Sequence, residues 1–288
     1  IDEVERYAAP ETLDEALALL ADGDATILAG GTDLMVQAQA GRVRYRRTLL
    51  NVRRVGELRG VRVDGDALVL GALTTITELL EDPLVHAHAP LLAQAADRFA
   101  SAQIRNAGTV GGNVCNASPA GDTLVPLLAL DAEVELAGKP NGSCVTRRLP
   151  LEQFLLGPGR TAREAHELLV ALRLPLRDGA RFAAFDKFGT RPALDISTVS
   201  LALAARREHG ALVDVRVAFG AVAPTVLRAR RTEAALEGRP LDAATIEAAA
   251  QVAHAEVSPI DDVRATAWYR RELVRNLTRR MLRHAAAT

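Results

Sequence analysis

Two glycine-rich segments about eighty residues apart, Ala29-Gly30-Gly31-Thr32-Asp33-Leu34 and Thr109-Val110-Gly111-Gly112-Asn113, constrain this chain more than any other feature. The apolar run Ala25-Thr26-Ile27-Leu28-Ala29 predicts a buried strand, and Leu34 to Ala40 predicts a short helix closed by Gly41. The first glycine pair therefore sits at a strand-to-helix turn. Missing Cβ atoms let backbone N–H groups there come within hydrogen-bonding distance of phosphate oxygens, and the helix N-terminus adds partial positive charge. The two segments read as halves of one phosphate cradle, with a diphosphate bridge as its guest.

The second segment, with Ile104-Arg105-Asn106-Ala107-Gly108 before it, holds more glycine, asparagine and threonine than a turn needs. Polar side chains there suit a ribityl or phosphate group. The segment runs into Asn116-Ala117-Ser118-Pro119-Ala120-Gly121-Asp122, whose carboxylate can accept from a ring or ribose hydroxyl, or simply cap a helix.

Around these segments the chain alternates elements. Thr12 to Leu20 has the pattern of a helix capped by Thr12 with Glu15 three residues on. Val61 to Leu70 reads as a hairpin turning at Asp64-Gly65-Asp66, followed by a helix from near Thr75. Leu91 to Ser101 predicts a helix that delivers the chain to the second glycine turn, and Val125 to Leu136 a helical turn and then a strand. Pro175 through Gly179 breaks both periodicities and marks the domain boundary. Beyond it, Phe182 to Lys187, Ile196 to Ala205 and Leu212 to Ala221 predict an antiparallel sheet with a turn at His209-Gly210. Thr232 to Leu236, Ala243 to Glu256 and Ala267 to Ala287 predict Ala- and Arg-rich helices, which either dock a partner or present a solvated face.

Composition narrows the function. Thirty-five basic and thirty-six acidic residues leave a formal charge of -1, so no electrostatic argument favours nucleic acid or an anionic membrane. No apolar run approaches the ~20 residues of a membrane span, and the charged start Ile1 to Arg6 has no apolar signal region; a cytoplasmic protein is the expectation. Two cysteines, Cys115 and Cys144, are too few for an iron–sulfur cluster, so any cluster belongs to another chain. Gly157-Pro158-Gly159-Arg160-Thr161-Ala162 has dinucleotide-fingerprint spacing, but its proline and nearby Pro175 forbid a full βαβ unit. His86 and His88 read as an exposed loop without further ligands, and Cys115 as a small packed residue. Phe99 packs either against a flavin ring or into the core.

Together these residues resemble the FAD-binding medium subunit of the molybdenum hydroxylases, the family of xanthine dehydrogenase, carbon monoxide dehydrogenase and related aromatic hydroxylases. Besides the two glycine segments, the resemblance rests on Ala117-Ser118-Pro119-Ala120-Gly121-Asp122, Glu167-Leu168-Leu169 and Lys187-Phe188-Gly189-x-Arg191, with fitting spacing from near Tyr7 to about Met281. It implies an α+β fold: a vanillyl-alcohol-oxidase-like (PCMH-type) FAD-binding domain over residues 1–176, in two α/β subdomains of about 1–57 and 58–176, then a C-terminal domain, 177–288, of a small antiparallel sheet with helices. Ala29, Gly30, Gly31, Thr32, Asp33 and Leu34 would hold the FAD diphosphate by backbone N–H groups, and Thr109, Val110, Gly111, Gly112 and Asn113 would complete the cradle. Asp122 would bind near the adenosine half, Leu169 would contact the dinucleotide through its backbone, and Lys187 would lie by the flavin or its phosphates. Phe99 falls where some relatives stack a side chain on the isoalloxazine.

The resemblance further implies an electron-transfer oxidoreductase subunit without catalytic residues or a metal site of its own. Its partners would be a large molybdenum-cofactor subunit and a small 2Fe-2S subunit, in a heterotrimer that dimerises, with NAD or another acceptor taking the electrons. There is no cysteine-rich insertion of the 4-hydroxybenzoyl-CoA reductase type, and Thr32-Asp33 sits closer to the xanthine and aromatic hydroxylase branch. Two rival readings keep the fold: a free-standing flavin oxidoreductase, and a flavin-free scaffold subunit.

Overall fold

The computed structural model describes residues 4–177, 181–191 and 194–288, so Asp178 and Gly179 of the expected boundary lie outside the described residues. The chain opens with β1 (Arg6–Ala8), α1 (Leu13–Leu20), β2 (Ala25–Leu28), α2 (Leu34–Gln39) and β3 (Thr48–Asn51). These strands form a parallel sheet in the order β1-β3-β2. The Thr12 hydroxyl accepts from the Glu15 amide to cap α1, whose Ala16, Leu17 and Leu20 are fully buried.

A helical layer and a second sheet follow. The elements are β4 (Val61–Asp64), β5 (Ala67–Gly71), α3 (Ile76–Glu81), α4 (Pro83–His88), α5 (Pro90–Asp97), α6 (Ala102–Ala107), α7 (Val110–Asn116) and α8 (Leu124–Ala129). Next come β6 (Glu133–Gly138), β7 (Val145–Pro150), α9 (Leu151–Phe154), the small hairpin of β8 (Leu155–Gly157) and β9 (Arg160–Thr161), and β10 (Glu167–Pro175). The antiparallel sheet runs β4-β5-β10-β6-β7. One face of it, through Leu70, Leu136 and Leu172, packs on α3, α4, α5, α7 and α8. Leu168, Val170 and Ala137 turn the other way and close on α1 and the parallel sheet.

The last part comprises β11 (Arg181–Phe188), β12 (Val199–Glu208), β13 (Ala211–Gly220), β14 (Leu227–Arg228), α10 (Arg230–Leu236), α11 (Ala243–Glu256) and α12 (Ala267–Ala287). The strands pair in sequence order. Along β12 the alternation sorts residues by size: Val199, Leu201, Leu203 and Ala205 pack under the helices, while Ala202 and Ala204 join the core of the preceding helical layer. Small side chains on that inner face let the sheet lie close against α5 and α8. The α+β architecture expected from sequence, a PCMH-type fold followed by an antiparallel sheet with helices, is what the chain adopts.

Three local expectations change. Val110 to Asn116 is helical, so the second glycine segment is the first turn of α7 and not a loop. Glycine is a poor helix former, but here packing decides: a Cβ on Gly111 would lie 2.6 Å from the Ala72 carbonyl oxygen. His86 and His88 stand in the last turn of α4, with His86 Nε2 2.6 Å from the Leu80 carbonyl oxygen. The helix expected to reach Ser101 stops at Asp97.

The sheet and the helical layer are also joined by ion pairs. Asp131, just after α8, accepts from Arg216 Nε at 3.0 Å and from the guanidinium groups of Arg177 and Arg228. Arg177 and Arg181 both pair with Asp214. Burial works to raise the Asp131 carboxyl, but Arg228 and Arg216 outweigh it and hold it below the ordinary carboxylate range. A depressed folded-state value contributes stability that is complete above the unfolded value of about 4 and is lost as pH falls through the folded one. Asp131→Asn is therefore expected to cost about 1–2 kcal/mol at pH 7, a figure lowered because the side chain is 38% exposed. In urea unfolding the gap between variant and parent should shrink as pH is taken from 4 towards 2; a constant gap would contradict the assignment.

Candidate functional site

The two glycine segments meet. A Cβ on Gly30 would collide with the Ala107 carbonyl, and Gly108 lies beside the Thr32 hydroxyl, so the loop after β2 is seated against the junction of α6 and α7. A cavity of about 420 Å³ opens between them, lined by Ala29, Gly30, Gly31, Thr32, Asp33 and Leu34 on one side. Thr109, Gly111, Gly112 and Asn113 line the opposite side, and Leu169 of β10 also borders it. A second cavity of about 730 Å³ adjoins it and includes Asp122. Thr32, Asp33, Phe99, Asn113 and Asn116 line both. Val110 points into the core, and Lys187 lines neither cavity.

The two sides differ in what they offer. The amides of Gly30, Gly31, Thr32, Asp33 and Leu34 donate to no partner among the described residues. On the other side the Val110 amide donates to Thr74, that of Gly111 to Ala72, and that of Asn113 to the Thr109 carbonyl. The Gly112 amide donates to Thr109 Oγ1 at 3.1 Å. Free backbone donors therefore belong to the first segment, while the second supplies a rigid wall and side chains. Asn113 Oδ1 accepts from the Thr123 hydroxyl at 2.6 Å, which leaves its NH2 as the donor end.

Buried charge gathers where the domains join. Lys187 Nζ, on β11, donates to Asp122 Oδ2 at 2.6 Å and to the Asp195 carbonyl at 3.1 Å. Ser197 Oγ donates to the other Asp122 oxygen. Burial pushes the Asp122 carboxyl up, against the pull of Lys187 and Ser197, and Asp122 is not the cap of α8, a position held by Thr123. Desolvation likewise raises the Asp33 carboxyl, which caps nothing through its side chain. Burial raises the Cys115 thiol to about 11, so it stays protonated and unreactive at neutral pH. Among the described residues no group of three His, Cys, Asp or Glu side chains is placed to hold a metal.

Sequence reading missed several lining residues. Gln37 Nε2 donates to Asn116 Oδ1 at 2.8 Å and ties α2 to α7 across the first cavity. Arg44 and Arg46 border it from a loop with four arginines in residues 42–47, a run that could have flagged them. Arg270 had no such signal, being one arginine in an Arg-rich helix. It is 2% exposed, and it donates to the carbonyls of Thr198 and Ala221 and to Asp262 at 2.6, 2.9 and 2.7 Å, so three segments around the second cavity hang on one guanidinium.

Two family models cover the chain: the FAD binding domain in molybdopterin dehydrogenase over residues 2–177, and the CO dehydrogenase flavoprotein C-terminal domain over residues 183–285. The xanthine dehydrogenase FAD-binding subunit of Escherichia coli O157:H7 is 36% identical over 284 residues, covering 98% of this chain and 96% of that one. The carbon monoxide dehydrogenase medium chain of Hydrogenophaga pseudoflava is 34% identical over 283 residues, with coverage of 98% and 96%. Among solved structures, carbon monoxide dehydrogenase from Hydrogenophaga pseudoflava superposes with a TM-score of 0.91 at 35% identity, covering 98% of this chain and 97% of that one. Quinoline 2-oxidoreductase from Pseudomonas putida 86 gives 0.90 at 30% identity, covering 98% and 96%.

Replacing Arg270 by methionine removes the buried donor shared by the Thr198 and Ala221 carbonyls, while Asp262 keeps the Arg264 and Ala265 amides and the Arg264 guanidinium. The expected loss is about 3 kcal/mol in urea unfolding, with Arg270→Lys losing less; an Arg270→Met chain as stable as the parent would contradict the hub role.

Proposed function

This chain belongs to the family of FAD-binding medium subunits of the molybdopterin, xanthine and CO dehydrogenases, and from that premise we propose that it carries FAD as the electron-transfer subunit of a multi-subunit molybdenum hydroxylase. The observation that carries the reading is the row of unpartnered amides from Gly30 to Leu34, in residues that line a cavity beside backbone contacts which a Cβ at Gly30 or Gly111 would break. Such a row is chemically suited to a diphosphate. The residues present thus fit the cofactor.

When bound, FAD supplies the redox chemistry, and the protein supplies binding, orientation and electrostatics. In this reading Gly30 to Leu34 hold the diphosphate, and Thr109 and Asn113 add a hydroxyl and an amide from the facing wall. Asp122, which borders the second cavity, would accept from a cofactor hydroxyl, with Lys187 and Ser197 holding its carboxylate in place. Leu169 borders the dinucleotide through its backbone, and Phe99 bridges the two cavities. The partners would be a large subunit with the molybdenum cofactor and a small subunit with 2Fe-2S clusters as electron source, with NAD or another acceptor as the electron sink. Two cysteines, one half-buried with its thiol pushed up and one exposed, suit a chain that leaves the clusters to a partner.

The purified chain should be yellow, release FAD near one per chain on heating, and contain no iron. Gly30→Ala should remain folded and lose most of that flavin, because its methyl collides with the Ala107 carbonyl. Full flavin content in Gly30→Ala would refute the cradle, and a folded parent that takes up no added FAD would favour the flavin-free scaffold.

A further inference from the structure

Phe99 is the only aromatic side chain among the described residues lining either cavity, and it lines both. A flat conjugated ring entering there has one ring to stack on. The backbone that presents it is unusual. α5 ends at Asp97, and Ala100, directly after Phe99, has φ of +37°, an unfavourable region for a residue with a Cβ. Such a conformation persists only where the surroundings impose it.

Two arginines do so, from opposite sides. Arg105, on α6, donates through Nη1 to the Phe99 carbonyl at 2.9 Å, with the Asp97 and Ala100 carbonyls each at 3.5 Å. It thereby caps the carbonyl end of α5 with a positive charge, where the helix leaves acceptors unmatched. From the other side Arg98 donates to the Lys187 carbonyl at 2.8 Å and pairs with Asp186, fastening the same turn to β11. Neither arginine lines a cavity, so their bearing on the site passes through the turn they hold.

We propose that Arg105 is a positioning residue that fixes the Phe99 ring at the junction of the cavities and thereby sets the surface met by an aromatic ring of the bound cofactor. The inference rests on the FAD reading for its functional half, and on the turn itself for its structural half. Each half has its own measurement. Amide hydrogen exchange on the full chain without added flavin reads the clamp: in Arg105→Met, exchange over residues 98–101 should rise roughly tenfold and fall back towards the parent in Arg105→Lys. Flavin absorption and fluorescence of the loaded chain, compared at equal FAD content, read the ring. Arg105→Met should shift the flavin bands as Phe99→Leu does, and the double variant should shift them no further.

Unchanged exchange in Arg105→Met, or a flavin spectrum altered by Phe99→Leu but not by Arg105→Met, would overturn the proposal. A parent chain that takes up no FAD would count against the FAD reading, and the exchange data would then decide the role of Arg105 alone. If Arg105→Met does not fold, Arg105→Gln serves in its place under the same criteria.

Discussion

The site depends on two backbones lying closer than side chains allow. Gly30 sits against the Ala107 carbonyl, and Gly111 sits against Ala72, so the loop after β2, the start of α7 and the end of β5 meet without intervening Cβ atoms. That approach does more than save space. The amides of Gly30 to Leu34, in residues lining the cavity, stay without partners among the described residues, while the amides of Val110 to Asn113 are consumed in fixing the opposite wall. The loop after β2 is thus a donor row with a rigid back, which lowers the ordering cost of binding an anion.

Arginine provides the second level of organisation. Arg177, Arg216 and Arg228 converge on Asp131 where the C-terminal sheet meets the helical layer, and Arg270 gathers the segments around the second cavity. Small residues on the inner face of β12 allow the approach, and charge at its margin fixes the orientation. The buried Lys187–Asp122 pair extends the same junction into the cavity wall. Domain packing and site geometry are therefore one problem in this protein: a change at the interface reaches the cavity through the residues they share.

Much of this was legible in the sequence. Asp242 and Thr266 cap α11 and α12, which begin and end where periodicity put them, and the β4–β5 hairpin turns at Gly65-Asp66 as expected. What escaped is tertiary in origin. A helix starting Val-Gly-Gly contradicts glycine's propensity, and only its packing on Ala72 explains it. The pairing of Lys187 with Asp122 joins residues 65 apart, and nothing in either segment announces the other. Arg270 differs from its neighbours only by facing inward. The resemblance to a family drew attention to both glycine segments, but their division of labour is a tertiary property that neither segment spells out alone.

In the proposed reading the first segment's free amides would hold the cofactor diphosphate while the second segment braces them. A crystal structure of the full chain with FAD tests it most directly. The account predicts diphosphate oxygens within hydrogen-bonding distance of amides from Gly30 to Leu34, with the bonds of Val110 to Asn113 to Thr74, Ala72 and Thr109 intact. A diphosphate seated elsewhere, or held instead by amides of α7 that had released those partners, would contradict it.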